Sequence, residues 1–370
     1  MNSTVGKKLF RMTKDKAILI QNIYHMLSYA FRILQQNNYQ KIAGETFEQI
    51  HDLLAAILAR GMAQLSKQGL YREYVECNET LSTLKGKLDL PGTIRHRVQR
   101  KQVLACQFDE FSENNILNQI LKTTAQQLVQ MPEVNSTQKQ ELKKVLLHFG
   151  NVDTIQPRNI RWNQLQFQRN NQTYRMLIYL CYFIWHELLL TTDSGKYRMM
   201  EFSDNNMAKL FERFVREYYR KHYDCLSPSA RQVEWNFTEP IDDEVKRYLP
   251  AMNTDTTLHD PISNHTLIID TKYLGSIMQT GQFGNKTFSS DNLYQIFAYV
   301  KNMDKGNTGN VSGMLLYAKT TEEDVPDNTS FVIGNNHFCV RTLDLNQPFE
   351  QIQSQLDDIM KSYFGAVTKQ

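Results

Sequence analysis

The segment Thr266–Leu274, TLIIDTKYL, constrains this chain more than any other. Its aliphatic run, preceded by a turn signal at Pro261–Asn264, reads as a buried strand. Yet the strand delivers an aspartate and, one residue later, a lysine. Residues two apart on a strand point to one face. Asp270 and Lys272 therefore project together, with Ile268 before them, while Thr271 and Tyr273 take the other side. The preceding segment AMNTDTTL carries Asp255. If the two strands pair as a hairpin, Asp255 and Asp270 meet at one edge. One reading is a strand surfacing into solvent. The other is a pair of carboxylates that hold Mg²⁺, a hard cation with oxygen ligands, beside a lysine that orients water or stabilises charge on a phosphodiester.

The D/E-x-K triplet alone is a weak signal, because the chain contains two more, Glu141–Lys143 and Glu244–Lys246. The first lies in a helical pattern, where positions two apart do not face each other. The second lies in a polar loop. Only Asp270–Lys272 ends an apolar strand with an aspartate on the strand before it. The following segment DNLYQIFAYV reads as a helix and places Gln295 and Tyr299 four apart on one face. That pair could serve the active-site edge and a DNA backbone, or Tyr299 could belong to the core face of Leu293, Ile296, Phe297 and Val300.

The rest of the chain divides into helical and strand patterns. Segments 18–65, 113–130 and 136–149 are helical by spacing, and short strands or hairpins are expected between Gly69 and Gly92, where Gly86 and Pro91-Gly92 act as breakers. The region 151–171 is irregular, and a domain boundary is expected near its end. Beyond it come helices over 172–190 and 206–223, an alternating strand at Val233, Trp235 and Phe237, the two strands above, a helix capped by Ser290 or Asp291, a buried strand at SGMLLYAK, strand-like runs in 330–345 and a last helix. The fold class expected is α+β with two domains: a mainly helical N-terminal domain with a small β element over 1–168, then an α/β domain over 169–370.

Composition excludes several classes. Five cysteines, an odd number without a CxxC pair, argue against a disulfide framework and against a cysteine-pair zinc site. The most apolar stretch, Met176–Leu190, contains His186 and Glu187 and is shorter than the roughly 20 residues of a membrane span. With no signal-peptide core in the polar N-terminus, the expected location is the cytoplasm, without a membrane partner. A net charge of +3 announces no global field for nucleic acid, so such a partner would rely on local charge.

Asp255, Asp270-Thr-Lys272 and Gln295-x-x-x-Tyr299, in that order, resemble the RecB-like branch of the PD-(D/E)xK nucleases. IQNIYHMLSYAF, KGKLDL, FDEFSENNILNQILK, MAKLFERFVREY, MNTDTTL, LIIDTKY and NLYQIFAYV together resemble the McrC subunit of McrBC-type modified-cytosine restriction systems over nearly the whole chain. The resemblance implies a restriction-endonuclease-like C-terminal domain that is Mg²⁺-dependent and cuts double-stranded DNA containing modified cytosine. It also implies an N-terminal domain that docks on an McrB-like AAA+ GTPase ring and stimulates its GTP hydrolysis. Asp255, Asp270 and Lys272 carry over as catalytic, with the two aspartates on the metal, and Gln295 and Tyr299 as the supporting motif toward DNA.

Glu212 matches a helix carboxylate that RecB-like nucleases place near the metal, or is an exposed residue beside Phe211, Phe214 and Val215. Thr254 stands where the motif has proline. The chain has no GxxxxGK phosphate loop, so GTP is expected on the partner subunit and not here. Lys85, Lys87 and Asp89 around Gly86 are expected to face the partner, or to form an ordinary strand-turn element. Arg95, Arg97, Arg100 and Lys101 suit an acidic partner, DNA phosphates or plain solvent. The alternative function is a non-catalytic activator of an AAA+ NTPase with a vestigial nuclease site.

Overall fold

The computed structural model describes residues 10–13, 16–31, 49–167, 171–185, 204–280, 285–322 and 327–365, with single positions 34, 39, 42, 45, 47 and 325. It is a mixed α/β protein whose chain forms two compact units, 51–185 and a second that joins 1–50 to 186–370. The sequence pattern places one boundary near 168. The structure instead returns the first 50 residues to the C-terminal unit.

The described part begins with a hairpin, β1 (Phe10–Thr13) and β2 (Lys16–Ile18), and helix α1 (Ile20–Ala30). The unit 51–185 follows. Helix α2 (Ile50–Gln68) leads to β3 (Glu73–Leu81), β4 (Lys87–Leu88), α3 (Leu90–Val98) and β5 (Leu104–Ser112). Helices α4 (Ile116–Gln130), α5 (Ser136–Leu146) and α6 (Gln172–Phe183) complete it. Strand β5 pairs antiparallel with both β3 and β4. Two positions read as breakers are here the start of a helix: Pro91 lies in the first turn of α3, where a missing N–H costs nothing. Of the apolar stretch 176–190, residues up to Trp185 are helical, and the remainder lies outside the described residues.

The second unit continues with α7 (Asp204–His222), β6 (Gln232–Val233), α8 (Asp243–Lys246), β7 (Met252–Asn253), β8 (Thr256–Asp260) and β9 (His265–Lys272). A small hairpin, β10 (Met278–Thr280) and β11 (Lys286–Phe288), precedes α9 (Ser290–Met303) and β12 (Val311–Ala318). Strands β13 (Thr329–Ile333) and β14 (Asn336–Leu343) and helix α10 (Phe349–Phe364) end the chain's described part. The alternation at Val233, Trp235 and Phe237 yields only a two-residue strand. Beyond it, Trp235 Nε1 donates to the Pro250 carbonyl and the Asn236 amide to Asn302 Oδ1. The cap of α9 is Ser289, without a side-chain bond, one residue before the expected position.

The main sheet has the order β13-β14-β12-β9-β8. Its centre is parallel and its two outer pairs antiparallel. All eight residues of β12 are buried, as a parallel strand covered on both faces requires. Ile268 of β9 packs in one core with Ile296, Tyr299 and Val300 of α9. Gly313 permits this: a Cβ there would meet Ile296 Cγ1 and Val300 Cγ2 at 2.8 Å each. Phe211 of α7 meets Tyr273, just after β9, with ring centroids 6.2 Å apart. Helix α1 joins this unit through aromatic packing and buried bonds. Tyr29 lies 5.5 Å from Phe214 and 5.8 Å from Phe349, and Asn22 Nδ2 donates to the carbonyls of Leu345 and Gln347.

Candidate active site

Strands β8 and β9 pair in register from Thr256↔Ile269 to Asp260↔His265. One step beyond the Thr256↔Ile269 pair, Asp255 precedes β8 just as Asp270 follows Ile269, so the hairpin brings the two carboxylates to one place. They line an open pocket of about 410 Å³ together with Ala208, Lys209, Glu212, Thr271, Lys272 and Gln295.

Each charged group is held by specific partners. Asp255 Oδ2 accepts from both the amide and the hydroxyl of Thr271 at 2.7 Å. Its other oxygen takes no donor among the described residues. Thr254, in the motif's proline position, uses what proline lacks: its N–H donates to the Arg231 carbonyl at 2.9 Å, and its hydroxyl accepts from the Arg231 amide at 3.0 Å. Lys272 Nζ lies 2.7 Å from Asp270 Oδ2 and donates to Gln295 Oε1 at 2.8 Å. Gln295 Nε2 in turn donates to the Tyr299 hydroxyl at 2.8 Å. Gln295 lines the pocket, whereas Tyr299 is buried in the core.

Asp270 is 1% exposed. Its buried Oδ2 is held by the ion pair with the Lys272 ammonium at 2.7 Å. Burial and the nearby Asp255 carboxylate push the Asp270 carboxyl up to about 6, with Lys272 opposing and Glu212 adding to the rise. Burial also raises Tyr299, helped by the charges of Asp270 and Asp255.

A carboxylate buried to this degree beside a second carboxylate, in one open pocket, fits a divalent cation. Among the described residues no three His, Cys, Asp or Glu side chains gather as a ready metal site. The donor set offered is therefore two carboxylates, which suits Mg²⁺ because that ion keeps several waters. Glu212 lines the same pocket, but its Oε1 is 2.7 Å from Arg216 Nη1.

The structure also shows pocket residues that sequence spacing missed. Thr271 clamps Asp255, although strand alternation alone turns it away from Asp270. Ala208 and Lys209 reach the pocket from the same helix as Glu212, and the signal was their three-to-four spacing from it. Arg216 donates from the same Nη1 to the Asp255 carbonyl at 2.7 Å. The Glu-x-x-x-Arg spacing on α7 was its trace in the sequence. Of the competing triplets, Glu141–Lys143 lies on α5 as expected, whereas Glu244–Lys246, expected in a polar loop, lies in the short helix α8, where Lys246 pairs with Asp243.

In the other unit, Lys85 and Lys87 are exposed and Asp89 is half-buried. Lys85 Nζ stands 3.8 Å over the Phe108 ring, and Asp89 caps α3 without a side-chain bond. Arg95, Arg97, Arg100 and Lys101 are all exposed. On α3, Leu90, Ile94 and Val98 form an apolar stripe four residues apart, 61%, 60% and 79% exposed.

Comparison with known proteins adds the lineage. A curated relative, the type IV methyl-directed restriction enzyme EcoKMcrBC of Escherichia coli K12, is 28% identical over 354 residues, covering 95% of this chain and 99% of its own length. A chain in the Thermococcus gammatolerans assembly of McrB AAA+ hexamers with bound McrC is 18% identical with a TM-score of 0.49, over 92% of this chain and 76% of that one. A chain in the cryo-EM structure of the Thermococcus gammatolerans McrBC complex is 23% identical with a TM-score of 0.39, over 54% of this chain and 57% of that one. The family described as McrBC 5-methylcytosine restriction system component matches residues 4–318, most of the chain. The chain belongs to that family.

Proposed function

We propose that this chain is the endonuclease subunit of a GTP-dependent, methylcytosine-directed restriction complex. In this reading the C-terminal unit is a PD-(D/E)xK nuclease that hydrolyses DNA phosphodiesters. The unit 51–185 docks on an McrB-like AAA+ GTPase ring and stimulates it. The observation that carries the reading is the convergence of Asp255, Asp270 and Lys272 in one pocket, each held by named partners. The family's restriction role and the methyl-directed activity of the Escherichia coli relative supply the substrate class. Without a phosphate loop, the chain needs its GTP bound by a partner. No helix among the described residues is long and apolar enough to cross a membrane, and we place the complex in the cytoplasm.

Asp255 and Asp270 would hold Mg²⁺, which when bound supplies an acidified water and offsets charge on the phosphoryl oxygens. The chain's own groups do the rest. Thr271 fixes the rotation of the Asp255 carboxylate through two donors to Oδ2. Gln295, itself bound to Tyr299, keeps the Lys272 ammonium at the pocket. There Lys272 orients the attacking water and stabilises the negative charge that grows on the phosphate. The apolar run before Asp270 makes these charges rigid. The stripe Leu90, Ile94 and Val98, flanked by Arg95 and Arg97, supports a docking role for its unit, because exposed apolar patches rimmed by charge mark interaction sites.

Reconstitution tests the whole reading. The chain is combined with an McrB-like GTPase, Mg²⁺, GTP and methylated DNA, and wild type is compared with Asp270→Ala. The variant is expected to lose cleavage and keep stimulated GTP turnover. A wild type that stimulates turnover but never cuts such DNA would instead make the chain an activator with a vestigial site.

A further inference from the structure

Asp255 occupies the gap between β7 and β8, outside both strands. Its main chain is held instead from α7. Arg216 Nη1 donates to the Asp255 carbonyl at 2.7 Å, and the same nitrogen donates to Glu212 Oε1 at 2.7 Å. The Arg216 side chain is 17% exposed and is not among the pocket-lining residues. A largely buried guanidinium needs acceptors for its donors, and Glu212, one helical turn earlier, provides one with charge. Thr271 grips Asp255 from the opposite end, at carboxylate Oδ2. Asp255 is thereby fixed at both its backbone and its side chain.

We propose that Arg216 is a positioning residue of this site, which sets the main chain of Asp255, and that Glu212 serves as the counter-ion that holds the guanidinium and not as a third metal-binding carboxylate. The inference rests on the nuclease reading above. Arginine suits the task because its planar fork serves two acceptors in fixed directions, whereas a lysine ammonium is a mobile point charge. Mg²⁺ demands near-ideal octahedral geometry, so a displaced carboxylate shows as lost affinity. Residues that orient metal ligands from behind typically change metal affinity ten- to a hundredfold when removed.

The test titrates Mn²⁺ alone into the full-length chain by calorimetry, with Asp255→Asn as the reference for a lost ligand. Arg216→Ala is expected to weaken Mn²⁺ binding by about ten- to a hundredfold, with Arg216→Lys intermediate. Amide exchange at 254–256 in the metal-free Arg216→Ala protein is expected to rise. Glu212→Gln, which keeps an acceptor for Arg216, is expected to lose only a few-fold. Folded arginine variants that bind Mn²⁺ within twofold of wild type would overturn the proposal. So would a Glu212→Gln protein as defective as Asp255→Asn, since Glu212 would then be a ligand. If both arginine variants fail to fold, Glu212→Gln decides alone. If instead wild type and Asp255→Asn bind Mn²⁺ equally, the metal-site reading fails, and amide exchange still reports on Arg216.

Discussion

Asp270 carries a charge where burial disfavours one, and that conflict has a measurable signature. Its ordinary value is 3.8, and the fold raises it to about 6 through burial first and Asp255 second. Between those values the folded chain binds a proton that the unfolded chain has released. This group therefore costs stability above pH 6, and the cost fades as pH falls toward 4. In metal-free protein, Asp270→Asn is expected to melt above wild type at pH 7.5, by at most about 3 kcal/mol, with the gap closing near pH 4. A gap independent of pH would contradict the assignment. Thr271→Val removes one of the two donors to Asp255 Oδ2 while sparing the amide. It is expected to weaken Mn²⁺ binding about tenfold, measured by calorimetry. At this scale the pairing of Asp270 with Lys272 was legible, because a period of two is a local property of any strand. The roles of Thr271 and Arg216 were not. They depend on which oxygen of Asp255 faces which neighbour, and that is fixed only when α7 and β9 meet.

The element that positions the site is the unit β9–α9–β12. Gln295 reaches Lys272 only because α9 lies close on the sheet, and Gly313 in the middle of β12 makes that approach possible. Gly313→Ala would press a methyl group onto Ile296 and Val300. Overpacking of this kind typically costs about 1–3 kcal/mol, so a lower denaturation midpoint is expected, with cleavage reduced as Gln295 shifts. An unchanged midpoint would show that α9 has slack to give. Strongly periodic elements such as α9, β12 and α10 were legible from apolar spacing alone. Helix α3 was not, since Pro91-Gly92 mimics a turn. Pro91 fits a first helical turn, and Gly92 is needed because a Cβ there would lie 2.7 Å from Ala105 Cβ.

On the scale of the whole molecule, the chain separates a unit that carries the carboxylates from one that carries an exposed apolar stripe. If the second unit engages the GTPase, Leu90→Ser with Ile94→Ser should abolish stimulated GTP turnover. The same protein should keep wild-type Mn²⁺ affinity in the other unit. Full stimulation by the double variant would move the docking surface elsewhere. The return of residues 1–50 to the C-terminal unit escaped the sequence pattern for a plain reason. Spacing shows that α1 has an apolar face, but Tyr29 finds Phe214 and Phe349 only in three dimensions.

The central claim is that Lys272 and its two aspartates cut DNA. The most direct measurement is the single-turnover cleavage rate of methylated DNA by the complex at saturating Mg²⁺ and GTP, for wild type and Lys272→Ala. The account predicts a fall of about a hundredfold or more, the usual scale for a preorganised group that stabilises transition-state charge, with GTP turnover intact. Cleavage within a few-fold of wild type would contradict it.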